Sequence, residues 1–308
     1  MVSVNEKVET GEKMKVLVTG GVGFVGTNLI KRLLKDGYEV VSIDNYSTGK
    51  KENEQDGCFY YDYDLSYNYV KRARPLQGGE RYDVIFHMAA LARIQPSLKY
   101  PYKTIYNNFT STLNILEYAR ENDIRFVYAG SSSVHHGLYE SPYAWSKFSG
   151  EELCKLYHNV YNMDTAICRF YNVYGPHQIE DGTYPTLMGI FEKQYREGNP
   201  LTITGEGEQR RDFTHVGDIV DGIVKSSEVS FNKCEIFELG SGVNFSINEI
   251  ADMFGKDYPK EYIEQRPGEY DVTLADYSHA QELLNWKPKR NIEDYIQGFV
   301  ETERFFNE

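Results

Sequence analysis

"KVLVTGGVGFVGTNLIKRLLKDG", residues 15–37, holds a short β-branched run, glycines at 20, 23 and 26, and apolar residues that return at helical spacing until Gly37. A β-branched run closed by glycine reads as a buried strand, and the periodicity after the turn reads as a helix with a glycine stop. "YEVVSIDN" (38–45) follows as another apolar run, so the segment forms a strand-helix-strand unit. The three glycines have separate tasks in such a turn. Gly20 permits the tight bend, Gly23 lets the backbone approach a pyrophosphate, and Gly26 allows the helix to pack closely on the strand. Free N–H groups at the helix start favour an anion there. Asp44 ends the next strand, where an acidic residue accepts hydrogen bonds from an adenosine ribose. It would repel a 2′-phosphate and no arginine adjoins it, so the turn suits NAD better than NADP.

Outward from this unit, apolar runs at "CFYYDYDL" (58–65), "YDVIFHMAA" (82–90), "IRFVYAGSS" (124–132) and "DTAICRFYNVYG" (164–175) alternate with helical segments, notably 103–121 and 143–160. That alternation predicts an α/β fold, a doubly wound parallel sheet covered on both faces. The pattern changes after Gly175-Pro176. Helices near 185–197, 216–227, 246–254 and 278–285 and a strand at "CEIFELGS" (234–241) suggest a smaller second region interleaved with the sheet. The expected division is a tail at 1–13, a Rossmann domain at 14–175 plus about 214–242, and a smaller C-terminal α/β substrate domain at about 176–213 and 243–308.

Composition narrows the partners. The 308 residues carry 33 basic and 46 acidic side chains, a formal charge of -13, with no basic run longer than three residues. Such a surface repels phosphate backbones and anionic lipid, so neither nucleic acid nor a membrane is expected as a partner. Cys58, Cys154, Cys168 and Cys234 are far apart with no C-x-x-C spacing, which suits reduced thiols. No apolar run approaches a membrane span and the first thirteen residues are too polar for a signal peptide, so a cytoplasmic location is expected.

"SSSVHHGLYESPYAWSK" (131–147) carries the candidate chemistry. Ser141-Pro142 reads as an N-cap with proline at the first helical position, so Tyr143 and Lys147 lie one turn apart on one face. A phenol is a poor base at neutral pH, but an adjacent ammonium favours the phenolate. The serines end a strand of the predicted sheet, at the edge where open α/β sheets bind ligands. His135 and His136 diverge in most backbone conformations and lack a third ligand, so no metal is expected.

In combination and in order, "TGGVGFVG", "DLSYN", "HMAALA", the serine cluster, "YAWSK", "RFYNVYGP", "RRDFTHVGDI" and "RPGEYDVTLADYS" resemble the extended short-chain dehydrogenase/reductases, specifically the NAD-dependent nucleotide-sugar epimerase/dehydratase family, over residues 14 to about 290. The resemblance implies that Gly20, Gly23, Phe24, Val25 and Gly26 hold the cofactor pyrophosphate. It implies further that Asp44 and Asn45 meet the adenosine ribose and Asp64 with Leu65 the adenine, while Met88, Ala89, Ala90, Asn108 and Tyr171 line the cofactor. Tyr143 would be the base and Lys147 its electrostatic partner and a ribose contact. The catalytic serine falls at Ser132 when counted back from Gly137 and at Ser131 when counted back from Val134. Asn172, Arg211, Arg266 and Glu269 match substrate-binding positions, the arginines suiting a diphosphate.

The same resemblance bears on the reaction. The family's 4,6-dehydratases carry Asp-Glu after the catalytic residue and its decarboxylases a Glu, where this chain has Ser132, Ser133 and Val134. Epimerisation of a UDP-sugar at C4 through a 4-keto intermediate is the expected reaction, with dehydratase, uronate epimerase or decarboxylase activity as enzyme alternatives and NAD sensing as a non-catalytic one. Thr273 aligns with a position that is bulky or small in UDP-galactose 4-epimerases. A small residue there admits an N-acetylhexosamine beside glucose and galactose, with a uronic acid still open. Family members often dimerise through the helices that match 103–121 and 143–160, so a homodimer is expected. The segment between serines and tyrosine is shorter than is usual in the family, and either Ser131 or Ser132 is expected to turn its hydroxyl toward the Tyr143 phenol.

Overall fold

The computed structural model describes residues 13–67, 73–77, 81–268 and 270–307. The expected tail, apart from Lys13, and Glu269 lie outside these residues.

Seven strands form the main sheet: β1 (Lys15–Thr19), β2 (Glu39–Asp44), β3 (Cys58–Asp62), β4 (Val84–His87), β5 (Arg125–Ser131), β6 (Thr165–Phe170) and β11 (Glu235–Leu239). Their order is β11-β6-β5-β4-β1-β2-β3, and β3, β2, β1, β4 and β5 pair in parallel. The order reverses beside β1, where the chain leaves β3 and returns on the far side of β1 as β4. At such a switch point the loops after adjacent strands part and leave a crevice at their carboxyl ends.

Between the strands run α1 (Phe24–Lys35), α2 (Ile94–Lys99), α3 (Pro101–Asn122) and α4 (Pro142–Tyr161). Leu29, Ile30 and Leu33 are fully buried along α1, at the spacing that presents one helix face to the sheet. A core of Leu17, Ile43, Ile85, Ile115, Leu116, Phe126 and Ile167, with neighbours, holds the helices to the strands. Each such side chain contributes about 1.5–3 kcal/mol relative to exposure. The helix expected at 103–121 extends to both sides and is preceded by the separate α2 turn, which the sequence pattern did not reveal. The strand expected at 58–65 stops at Asp62, because Asp64 folds back to accept from Ser66 N and Oγ and begins a turn.

The chain divides into two compact units, residues up to Arg169 with Val220–Phe237, and Phe170–Ile219 with the residues from Glu238 onward. The first crossing comes ahead of the expected Gly175. The second unit has its own core, including Phe191, Ile203, Ile250, Phe254 and Ile296. Its strands are short: β7 (Val173–Tyr174), β8 (Leu201–Thr204), β9 (Arg210–Asp212), β10 (Thr214–His215), β12 (Asn244–Ser246) and β13 (Lys260–Ile263) pair two by two. Its helices include α5 (Leu187–Arg196), α7 (Ile247–Met253), α8 (Ser278–Leu284) and α9 (Ile292–Asn307), while α6 (Val216–Glu228) spans a division point. No described helix is long and apolar enough to cross a membrane.

Candidate functional site

At the switch point an open cleft of about 620 Å³ is lined by residues after β1, β2, β3 and β4. Of the expected cofactor residues, Gly20, Gly23, Asp44, Asn45, Asp64, Leu65, Met88, Ala89, Ala90 and Asn108 line it, together with Ser47, Thr48, Tyr63 and Ser111, which sequence reading missed. Phe24, Val25 and Gly26 form the first turn of α1 beneath it.

The turn demands its glycines on steric grounds. Gly20 has φ +73°, and a Cβ there would stand 2.8 Å from the Ala89 Cα and N. A Cβ on Gly26 would stand 2.1 Å from the Gly20 carbonyl oxygen. Hydrogen bonds close the loop, with Gly23 N donating to Gly20 O at 3.2 Å and Thr27 N to Gly23 O at 2.9 Å.

Asp44 accepts from Val22 N at 3.1 Å and from Tyr46 N at 2.8 Å, tying the end of β2 to the glycine turn. Burial pushes its carboxyl up from the usual range, and the backbone N–H groups oppose that shift. A carboxylate offers about four lone-pair sites, so capacity for ribose hydroxyls remains. Asn45 Nδ2 donates to Asp64 at 3.1 Å and bridges the ends of two strands. Among the described residues, no lysine or arginine lines the cleft. This lining therefore fits an adenine dinucleotide without a 2′-phosphate.

Further along the sheet, β5 ends at Ser131 and enters a tight helical turn, Ser132–His135. Ser131 Oγ accepts from Ser133 N at 3.2 Å and from Ser133 Oγ at 2.9 Å, which fixes its position. The Ser131 hydroxyl bears on the acidity of the Tyr143 phenol, pulling it down against burial. Ser141 caps α4 by accepting from Ala144 N at 3.3 Å, and Pro142 opens the helix. Ser132 is buried in the same turn.

The electrostatics differ from the sequence expectation in one respect. Lys147 is buried, its Nζ donates to Ala129 O at 2.8 Å, and it lies 5.1 Å over the Tyr128 ring. Burial pushes the ammonium down to about 8, with Glu151 opposing. Burial also pushes the Tyr143 phenol up, and the groups that pull it back are the Ser131 hydroxyl and the Arg93 guanidinium. One N–H of the Lys147 head group is thus committed to a backbone carbonyl. Arg93 escaped the sequence reading, although it directly follows the cofactor-lining run at 88–90.

The short connection after the serines is held in place. Glu151, fully buried and one turn beyond Lys147, grips Arg169 with Nη2–Oε2 at 2.6 Å and Nε–Oε1 at 3.0 Å. Arg169 Nη1 lies 3.2 Å from His135 Nε2. Arginine can only donate, so the imidazole accepts through Nε2.

In the second unit, Asn172 Nδ2 donates to Thr273 Oγ1 at 3.3 Å and to Asp212 O at 2.9 Å. Thr273 is buried, and its hydroxyl also accepts from Asp212 N at 3.1 Å. Asn172 and Thr273 are thus brought together. Arg211 donates to Arg210 O at 3.0 Å, and Arg266 is exposed. Tyr171 is buried and its hydroxyl donates to Glu238 at 2.9 Å.

Comparison with known proteins accords with this geometry. A putative UDP-glucose 4-epimerase of Methanocaldococcus jannaschii is 32% identical over 304 residues, 92% of this chain and 97% of the relative. UDP-glucuronic acid decarboxylase 4 of Arabidopsis thaliana is 32% identical over 93% of this chain and 68% of that protein. A crystal structure of UDP-glucuronic acid 4-epimerase from Bacillus cereus, in complex with UDP-glucuronic acid and NAD, superposes with a TM-score of 0.81 at 30% identity, covering 95% of this chain and all of that one (100%). The sequence pattern of the NAD dependent epimerase/dehydratase family matches residues 16–240, which contain the glycine turn, the serines and the Tyr143-Lys147 pair. On fold, cleft and sequence alike, this chain belongs to the NAD-dependent epimerase/dehydratase family.

Proposed function

We propose that the protein interconverts UDP-sugars at C4, with Tyr143 as the base. The observation that carries this reading is the placing of Ser131 at the carboxyl end of β5, with Tyr143 in the first turn of α4 and Lys147 one turn beyond it. NAD, where bound, would supply reversible hydride acceptance at the sugar C4. The residues of the turn 20–26 hold the pyrophosphate, and Asp44 accepts from the ribose. Tyr143 would take the proton of the sugar 4-hydroxyl and give it back to the same oxygen, so no proton is lost over a cycle. Ser131 donates to the 4-oxygen and steadies its charge.

Elimination of water would need a further acid near the serines. The residues after Ser131 are Ser132, Ser133 and Val134, and Glu151 is committed to Arg169. That arrangement favours epimerisation over dehydration. Asn172, Arg211, Arg266 and Glu269 are assigned to the UDP-sugar. The hydroxyl of Thr273 is engaged by Asp212 N and Asn172, so a sugar gate there acts through side-chain size. UDP-glucose/galactose, UDP-N-acetylglucosamine/galactosamine and UDP-glucuronate are the candidate substrates. Tyr102 and Tyr106 on α3 and Leu156, Val160 and Tyr161 on α4 are exposed, which supports a homodimer through these helices, readable by light scattering. The four cysteines are unpaired, in keeping with a reducing, cytoplasmic setting.

Tyr143→Phe is the test. Removing a general acid-base lowers kcat by about 10²–10⁴-fold, with NAD binding retained. Turnover equal to the parent protein would refute the role.

A further inference from the structure

Beyond β3 the chain turns through Asp64, Leu65, Ser66 and Tyr67, and the first two of these, assigned to the adenine, line the cleft. Three successive carbonyls of this turn accept hydrogen bonds from side chains of α3. Asn114 Nδ2 donates to Leu65 O at 2.8 Å and to Tyr67 O at 3.0 Å, and the Tyr106 hydroxyl donates to Ser66 O at 3.3 Å. Carbonyl oxygens only accept, so it is the amide nitrogen of Asn114 that faces them, and both of its hydrogens are used. The Asp64 carboxylate is fixed in turn. One oxygen accepts from Ser66 N at 2.8 Å and Ser66 Oγ at 2.7 Å, and the other accepts from Asn45 Nδ2 at 3.1 Å. Helical spacing puts Asn114 in reach of the turn, since Ser111 and Asn107, one and two turns before it on the same face, line the cleft itself.

We propose that Asn114 is a positioning residue for the cofactor, the side chain that sets the turn 64–67 so that the Asp64 carboxylate reads the adenine. This rests on the assignment of Asp64 to the adenine. A carboxylate can only accept, and the N–H donor on the edge of an adenine is its 6-amino group, so the two match. With an apolar side chain at 114, Leu65 O and Tyr67 O lose their donor and turn to water. Ser66 lies between them and holds one oxygen of Asp64, so the carboxylate moves with them. Tyr106 keeps a single, longer bond to the turn. The pyrophosphate end is built on separate contacts, Gly23 N to Gly20 O and Val22 N to Asp44, so the displacement is confined to the adenine end.

The test compares two dinucleotides. Full-length protein freed of bound nucleotide is titrated calorimetrically with NAD and with nicotinamide hypoxanthine dinucleotide, in which an oxygen replaces the 6-amino group. The parent prefers NAD, because the hypoxanthine oxygen meets the Asp64 carboxylate as acceptor against acceptor. Asn114→Leu weakens NAD about 10-fold, the lower part of the range for two lost hydrogen bonds, and leaves the hypoxanthine dinucleotide nearly as it was, so the preference collapses. A side chain with a purely structural role would weaken both dinucleotides alike. A preference for NAD retained in folded Asn114→Leu therefore overturns the proposal, and so does an unchanged affinity for NAD. Asn114→Asp keeps the shape but cannot donate to either carbonyl, and it serves where Asn114→Leu does not fold. Failure of both variants to fold also overturns the proposal, since the side chain is then needed for the fold. A parent protein that binds the two dinucleotides alike removes the assignment of Asp64 to the adenine and the proposal with it, and that result is read before any variant is made. No sugar enters the titration, so its outcome stands apart from the epimerase reading.

Discussion

Substituting Gly26 by alanine places one methyl group where the fold has no room. Its Cβ would stand 2.1 Å from Gly20 O, 2.9 Å from Gly20 C and 2.9 Å from Gly21 Cα. All three are backbone atoms, so no side chain can rotate away. Reaching ordinary contact requires the turn and α1 to separate by roughly 1 Å, and overpacking of this kind costs about 1–3 kcal/mol. Near the upper end that is a fall in Tm of about 6 °C at ~2 °C per kcal/mol for a chain of this size. The same displacement moves the Gly20–Gly23 N–H groups relative to the pyrophosphate, and misplacement by ~1 Å can cost about 100-fold. Calorimetric titration with NAD should show binding weakened about 10- to 100-fold. Gly298→Ala is the control: its Cβ meets nothing within 4 Å and it sits inside α9, so the substitution should gain up to ~1 kcal/mol with NAD binding unchanged. Gly26→Ala binding NAD within about twofold of the parent, at unchanged Tm, would refute the steric account of the turn.

Two predictions concern buried charges. His87 is neutral and pushed down to about 3, against about 6.5 in an unfolded chain. Below pH 6.5 the unfolded chain takes up a proton that the folded one refuses, so stability falls with pH by ~1.4 kcal/mol per unit, about 2 kcal/mol between pH 6.5 and 5. Urea curves at pH 7 and 5 should show this loss in the parent and not in His87→Gln; parallel losses would contradict it. Glu151→Ala leaves the Arg169 guanidinium, only 12% exposed, without its carboxylate. Removing one partner of such a pair costs about 3–5 kcal/mol, and a change within ~0.5 kcal/mol in urea denaturation would show that the ion pair does not anchor the short serine-to-tyrosine connection.

How far the sequence speaks depends on how local the physics is. The first strand-helix-strand unit was legible because Gly20 and Gly26 answer to steric demands inside one turn. Asp44 was legible because its place at a strand end follows from the period of that strand. The choice between Ser131 and Ser132 was not, since it depends on the tight turn Ser132–His135, in which Ser133 donates back to Ser131. The paired strands of the second unit, two to four residues long, are too short to show alternation. The α9 stripe of Ile292, Ile296 and Val300 is narrow and has Gly298 within it.

The central claim is the reaction, and one measurement meets it directly. UDP-glucose, UDP-N-acetylglucosamine and UDP-glucuronate are each incubated with the purified protein and NAD, and the products are read by proton NMR and mass spectrometry. The account predicts the C4 epimer of at least one of them at unchanged mass. A product lighter by water or by carbon dioxide, or NAD bound with none of the three converted, would contradict it.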